Sequence, residues 1–263
     1  MIENKYPIFE RGRILKIEML EHLRDFPLDI FNIFLKDYSN GILKGFDIKI
    51  EDNNIILSSG IIVFDKKIYH SKQRVVIRYK DGEDNRNLDK LMILKIKFLE
   101  EKDSKDFKIK DTKIYIDQDI KTKDEIEICR FKLKNEARLR MDHEDFEDLD
   151  TEYNTVNLIN TTYSNMEQNT IHPYIIKFFH EEMLRYDIQN PLDLNFCLNA
   201  SNNELLKRRY IINYLKIRLN LDNDMNFDNK NIYNFLLQIL NTTKGIGKKS
   251  SNANYFNKKI LID

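Results

Sequence analysis

The chain has 263 residues, a length that accommodates one large domain or two of ordinary size. Hydrophobic residues make up 41% of the chain, and 43 basic and 43 acidic side chains cancel to a formal net charge of zero. This balance provides no overall field that would attract nucleic acid or an anionic membrane. No apolar run approaches the roughly 20 residues of a membrane span, and the first residues lack the apolar core of a secretion signal. We therefore expect cytoplasmic synthesis without a signal peptide.

The N-terminal region, 1–40, shows a helical pattern. Apolar residues recur every three or four positions over 13–26 and again over 31–38, and Pro27 separates the two runs. Proline removes a helical hydrogen bond, so the first helix is predicted to end there. Ser39, Asn40 and Gly41 close the second run. The sequence thus predicts an N-terminal helical pair.

From residue 41 to 141 the apolar period changes from 3.6 to 2, which is typical of strands. Turn residues at 52–54 and 65–67 separate the first hairpin strands, and Gly60 marks a bulge or corner. Strands are predicted at 46–51, 55–58, 61–64, 68–71, 73–79, 91–99, 113–116 and 125–133. The alternation assigns seven side chains to packing, namely Phe46, Ile48, Ile50, Ile55, Leu57, Ile62 and Phe64. With no helix between successive strands, the pattern favours an antiparallel β-sandwich or open barrel.

The remaining sequence predicts a linker, a helical domain and a tail. Residues 142–170 begin with an acidic run, which predicts a solvated linker. Residues 171–241 return to a helical period, with helices predicted over 171–186, 204–219 and 231–240, the last capped by Asp228 or Asn229. Residues 242–263 have no amphipathic period and form a basic tail. The predicted fold class is therefore α+β, with N-terminal helices, an antiparallel β domain and a C-terminal helical domain.

Several short motifs fall short of a chemical site. The tail segment TTKGIGKKS lacks the glycine spacing of a phosphate-binding loop. The acidic run at 143–150 has no glycine for a calcium-binding loop, and His172 and His180 lie eight residues apart, too far for a zinc-protease helix. His172 is expected to cap a helix on the surface, and Cys129 and Cys197 to be small buried residues. We expect no cofactor, no metal and no enzymatic activity.

The stretch from 204 to 220 combines basic and aromatic side chains. Its apolar residues form a broad face opposite most of the charges, which is typical of a packed helix with a cationic outer face. This helix and the tail supply the predicted partner-contact residues, which are Lys207, Arg208, Arg209, Tyr210, Tyr214, Lys248 and Lys249. Because the net charge is zero, a protein partner is favoured over nucleic acid.

The segment SNGILKGFDIKIEDNNIILSSGIIVFDKKIYHSK resembles the β-module near the N-terminus of many phage tail-fibre and baseplate proteins. It is also similar to baseplate components of clostridial phage tail-like bacteriocins. A second segment, DIKTKDEIEICRFKLKNEARLR, is similar to the strand that often closes such modules. The resemblance covers about residues 11 to 140, and the turn at Asp65 lacks the glycine that usually follows the aspartate in the family.

The resemblance implies a structural virion component of a contractile tail or contractile injection system, at the baseplate or as a fibre-attachment adaptor. Its expected partners are other baseplate or fibre subunits in a homo- or hetero-oligomer, reached after synthesis in a bacterial cytoplasm and assembly into the particle. The alternative is a nucleic-acid-binding accessory protein of a mobile element that uses the helix at 204–220 and the lysine-rich tail.

Overall fold

The computed structural model describes residues 4–80 and 89–246, and it confirms the α+β fold class. The strands lie in several separate sheets, and the described residues form no closed barrel. Two hydrophobic cores organise these elements, one under the β-sheets and one among the C-terminal helices. Tyr174 packs against both cores and thereby joins them.

The N-terminal region contains one helix, α1 (Ile17–Phe34), so the prediction of a helical pair broken at Pro27 was wrong. Pro27 lies inside α1. A proline removes a single hydrogen bond to the carbonyl four residues earlier, and Leu, Ile and Phe continue the helical pattern on both sides of it. The chain enters the body of the protein directly after α1, where Leu35 is buried.

The β region begins with six strands that contribute to two sheets, one of which also takes two later strands. They are β1 (Gly41–Gly45), β2 (Ile48–Glu51), β3 (Asn54–Leu57), β4 (Gly60–Phe64), β5 (Lys67–Ser71) and β6 (Val75–Arg78). The hairpin of β2 and β3 pairs with β6, and β4 pairs with both β1 and β5. Although the turn between β4 and β5 lacks glycine, Asp65 and Lys66 both adopt positive φ and close it.

The second half of the β region forms a three-stranded sheet and a small hairpin. The strands are β7 (Met92–Phe98), β8 (Lys102–Asp103), β9 (Lys108–Ile109), β10 (Thr112–Asp117) and β11 (Glu125–Phe131). β7 lies between β10 and β11, and β8 pairs with β9. The side chains predicted to pack enter the core under the β-sheets, as expected. Phe46, Ile55, Leu57 and Ile62 are buried there. Ile48, Ile50 and Phe64 are partly exposed and pack against this core.

The segment at 142–170 differs from the predicted solvated linker because apolar residues alternate with its acidic ones. A short 3-10 helix (Glu147–Asp150) places Phe146 and Leu149 in the helical core, whereas Val156 and Leu158 enter the β core. Two short strands follow, β12 (Thr162–Tyr163) and β13 (Thr170–Ile171). β12 pairs with β1 in parallel, an arrangement that the antiparallel prediction missed.

Four helices complete the described chain, namely α2 (Pro173–Met183), α3 (Pro191–Asn202), α4 (Arg208–Leu219) and α5 (Asn229–Ile246). Helix α3 was not predicted from the sequence, and α5 extends into the predicted tail. Asp228 caps α5, as expected, by accepting a hydrogen bond from the Asn231 backbone amide at 2.8 Å. His172 caps α2 through its Nδ1 atom, also as expected, but it is buried rather than exposed.

Candidate interaction surfaces

The outer surface of α1 exposes a long run of large apolar side chains. No residue of α1 is buried. Eleven large apolar side chains from Ile14 to Phe34 are each 45 to 84% exposed. At roughly 150 to 200 Å² for a fully exposed side chain of this size, they present on the order of 1,000 Å² of apolar surface. The largest apolar patch on a typical monomer covers about 300 to 600 Å², so α1 has the character of a docking surface.

Apolar and acidic residues divide the surface of α1 unequally. At 100° per residue, the four acidic side chains fall within one narrow sector, and these are Glu18, Glu21, Asp25 and Asp29. We call this sector the acidic stripe. Apolar residues fill more than half of the circumference, a much wider arc than one core-facing stripe needs. Arg24, the single basic residue of α1, forms a salt bridge with Asp25 at 2.6 Å.

The segment before α1 has the opposite charge. Residues 4–16, which we call the basic arm, contain Lys5, Arg11, Arg13 and Lys16 against one acidic residue, Glu10. Glu10 pairs with Arg13 at 2.9 Å. Within the described chain, Lys5, Arg11 and Lys16 form no ion pair, and neither do Glu18, Glu21 and Asp29. The arm approaches the helix where His22 Nε2 lies 2.5 Å from the Lys5 carbonyl oxygen.

The predicted partner-contact residues on α4 divide into inward and outward groups. Arg208 lies inward: its guanidinium donates to Asn229 Oδ1 at 2.8 Å and to the Phe227 carbonyl at 2.7 Å. Burial lowers the pKa of Arg208. These bonds fix the start of α4 to the start of α5, so Arg208 has a structural role. Lys207 and Arg209 remain exposed, and Lys248 and Lys249 lie outside the described residues.

The two predicted tyrosines belong to an aromatic and charged cluster between α3 and α4. Tyr214 is buried, stacks on Phe196 at 4.1 Å between ring centroids, and donates to Asp193 Oδ1 at 2.9 Å. Tyr210 is half-buried and donates to Asn195. Arg218 donates to the same Asp193 oxygen as Tyr214, at 2.8 Å. This network satisfies the hydrogen-bonding groups of the buried Asp193 carboxylate. Among the predicted partner-contact residues in the described chain, Lys207 and Arg209 are the exposed ones.

A buried charged cluster on the three-stranded sheet resembles the groups of a catalytic site and was missed by the sequence analysis. Lys95, on β7, is 1% exposed, and its ammonium has three acceptors: Asp117 Oδ1 at 2.8 Å, Glu125 Oε2 at 3.2 Å and the Asp119 carbonyl at 3.0 Å. Tyr115 donates to the other Glu125 oxygen.

The electrostatics of this cluster favour a structural role. Burial works against the charge on Lys95, but hydrogen bonds to Asp117 and Glu125 outweigh it and raise the pKa. Hydrogen bonding to Glu125 and burial likewise raise the pKa of Tyr115 to about 12. A general base at neutral pH needs a pKa near the working pH. The cluster therefore holds β7, β10 and β11 together through satisfied charges.

The potential metal ligands and the two cysteines of the described residues form no clustered site. No group of three or more His, Cys, Asp or Glu side chains there could hold a metal ion. Cys129 and Cys197 are free and buried, as predicted, and burial raises the pKa of both thiols. Among the described helices, none is both long and apolar enough to cross a membrane.

Comparisons with known proteins return no relative: no family model, no curated protein and no solved structure matches this chain. The case for a docking surface on α1 therefore rests on the exposure and charge of its own residues. The signal for it is present in the sequence as the breadth of the apolar arc on α1. The sequence could not show that the rest of the protein leaves this arc uncovered.

Proposed function

We propose that this protein is a structural subunit of a contractile phage tail or tail-like particle, placed at the baseplate or where a fibre attaches. The observation that carries a structural role is the apolar surface of α1, whose large side chains the described chain leaves about half or more exposed. A helix with so wide an apolar face is stable when it packs against another protein surface. The resemblance of residues 41–72 to tail-fibre and baseplate modules supplies the kind of assembly.

The arrangement of the chain as a folded body with an exposed α1 supports this role. The body has two cores of its own, so it can present α1 without depending on it. The charged cluster at Lys95 has its hydrogen-bonding groups engaged, and the inward α4 residues serve the bundle. What remains accessible is a set of protein-contact features: the apolar arc, the acidic stripe, the basic arm and the outer residues Lys207 and Arg209.

The test is the recovery of the chain with particles. Sheathed particles from a bacterium that encodes the protein are sedimented through a density gradient, and the fractions are examined by mass spectrometry. The proposal predicts that the chain peaks in the same fractions as the sheath and tube subunits and remains there after a salt wash. Recovery of the chain only at the top of the gradient, from cells that produce intact particles, would overturn the proposal.

A further inference from the structure

We infer that the surface covered by α1 is α1 of another copy of this chain, so that the protein self-associates through its N-terminal helix. This inference deepens the proposed function and rests on it for its biological setting. Two observations on the described residues identify the occupant: the amount of apolar surface, and the opposite charges of the basic arm and the acidic stripe.

The exposed area is sufficient for a specific interface. A stable protein interface buries about 800 Å² on each partner, and α1 with the end of the arm presents on the order of 1,000 Å² of apolar surface. Leu20 and Phe31 lie three turns apart on the same side of the helix and are 49 and 52% exposed. Both lie within the apolar arc. Another α1 presents an equally apolar surface of the same length, so copies of this helix can cover one another.

The charges favour a second copy over a membrane. The acidic stripe would be repelled by anionic lipid, whereas helices that lie on membranes have Lys and Arg on the polar face. The basic arm has three side chains without an ion pair within the described chain, Lys5, Arg11 and Lys16, and the acidic stripe has Glu18, Glu21 and Asp29. In a symmetric assembly, the arm of one copy can lie beside the stripe of its neighbour, and each copy contributes both charges.

The width of the apolar arc favours a bundle of several α1 helices over a single pair. A two-helix seam uses a narrow stripe of apolar positions. Because apolar residues fill more than half of the α1 circumference, a bundle of α1 helices covers the surface more completely than one flat contact. The acidic stripe then faces outward, where the basic arm of a neighbouring copy can reach it.

Sedimentation velocity of the purified full chain from about 1 to about 100 µM tests the inference. We expect concentration-dependent oligomers. Replacing apolar residues of the arc, as in the variant Leu20→Ser/Phe31→Ser, should weaken association at least tenfold while circular dichroism shows an unchanged fold, because neither side chain is buried. A wild-type chain that stays monomeric over the whole concentration range overturns the inference. The surface of α1 would then be covered by a lipid, by another protein or by residues 247–263.

A charge-exchange experiment tests whether the basic arm of one copy contacts the acidic stripe of another, or whether the copies associate through the apolar surface alone. Arg11→Glu/Lys16→Glu should weaken association, and so should Glu21→Lys/Asp29→Lys, since each places like charges together. The chain that combines all four substitutions should recover association, because its arm and stripe are again opposite in charge. Failure of the combined variant to recover, when each pair alone weakens association, would contradict the arm-to-stripe contact.

Lys105→Glu/Lys108→Glu is the matched control, since it reverses two exposed charges at the β8–β9 hairpin and leaves the arm and stripe unchanged. It should not alter association; dependence on this pair in place of the arm would overturn the inference. The two proposals fail separately. A monomeric chain that still sediments with particles contradicts self-association alone, and a self-associating chain absent from particles contradicts only the particle role.

Discussion

Arg140 and Asp148 form a two-pronged ion pair that fastens the end of the β region to the 3-10 helix. Arg140 Nη1 donates to Asp148 Oδ2 at 2.7 Å, and Arg140 Nη2 donates to Asp148 Oδ1 at 2.6 Å. Thr151 Oγ1 donates to the same carboxylate at 2.6 Å. The pair therefore lies where the chain passes from one hydrophobic core to the other, within the segment predicted as a linker.

The Arg140–Asp148 pair should make stability depend on acid pH. Burial alone would raise the pKa of Asp148, but hydrogen bonds from Arg140 and Thr151 outweigh it and hold the pKa well below its usual range. The unfolded chain then takes up this proton first, at a pKa of about 3.9, so the stabilisation is present above that pH and is lost as pH falls below it. Asp148→Asn should lower the free energy of unfolding by about 1 to 3 kcal/mol at pH 7.

Urea denaturation of wild-type and Asp148→Asn proteins from neutral pH down to about pH 3 measures this difference. The gap between the two proteins should narrow below about pH 4. Asp150, at the end of the same 3-10 helix, pairs with Lys230 on the surface, so Asp150→Asn is the matched control and should cost at most about 1 kcal/mol. A gap for Asp148→Asn that is constant with pH would contradict the account.

His172 should add a second pH dependence, at higher pH. Burial lowers its pKa to about 3, whereas an unfolded histidine has a pKa of about 6.5. Between these values only the unfolded chain binds the proton, so stability falls as pH drops below about 6.5, by up to about 1.4 kcal/mol for each pH unit. His172→Asn keeps a side chain that can cap α2 and removes the titrating group. The variant should show a shallower slope of stability against pH from 6.5 to 4, and an unchanged slope would refute this role.

Gly45 should tolerate no side chain. Its φ is +74°, and an added Cβ would lie 2.1 Å from the backbone oxygen of Ser59, where the end of β1 pairs with the start of β4. We expect Gly45→Ala to cost about 3 kcal/mol or more in thermal or urea unfolding. Gly245, in α5, has nothing within 4 Å of an added Cβ, so Gly245→Ala should stabilise by up to about 1 kcal/mol. Equal effects of the two substitutions would contradict the packing described at Gly45.

The Lys95 cluster should behave as a structural ion network. Lys95→Met leaves the carboxylates of Asp117 and Glu125 without their cation, and the loss of one member of a buried pair costs about 3 to 5 kcal/mol. Lys97, two residues along β7, pairs with Asp124 at 3.6 Å and is 40% exposed, so Lys97→Met should cost less than about 1 kcal/mol. Urea denaturation of both variants provides the comparison, and a cost below about 1 kcal/mol for Lys95→Met as well would contradict a structural role for the network.

Much of the β region could be predicted from the sequence because its period is local. Apolar residues alternate on both sides of the turn at 52–54, and Ile55, Leu57 and Ile62 enter the core as that alternation requires. Ile56 and Val63, on the opposite face, are buried as well. The parallel pairing of Ile42 with Tyr163 could not be predicted, because strands of two residues have no period and their partners lie far apart in the chain. Helix α3 was missed for a similar reason: Leu192, Leu194 and Leu198 are exposed, so its apolar residues form no single buried stripe.

The interaction surfaces were predictable only in part. The charges of α4 are visible in the sequence, but a helical wheel does not show that Arg208 turns inward to Asn229 and Phe227. The end of α1 was misplaced because Pro27 is a strong local signal for a helix end, whereas the helix continues through it. Whether an apolar arc is buried or exposed depends on tertiary packing. That property, which gives α1 its proposed role, is absent from any local pattern.

We have proposed that this protein is an assembly subunit that docks through α1. The most direct test compares the wild-type chain with Leu20→Ser/Phe31→Ser in a producing strain from which the natural copy has been removed, with quantification of each chain in purified particles. The account predicts that the wild-type chain sediments with the particles and that the variant, although folded and equally abundant in the cell, is depleted from them at least tenfold. Equal incorporation of the two chains would contradict docking through α1, and absence of both from intact particles would contradict the particle role itself.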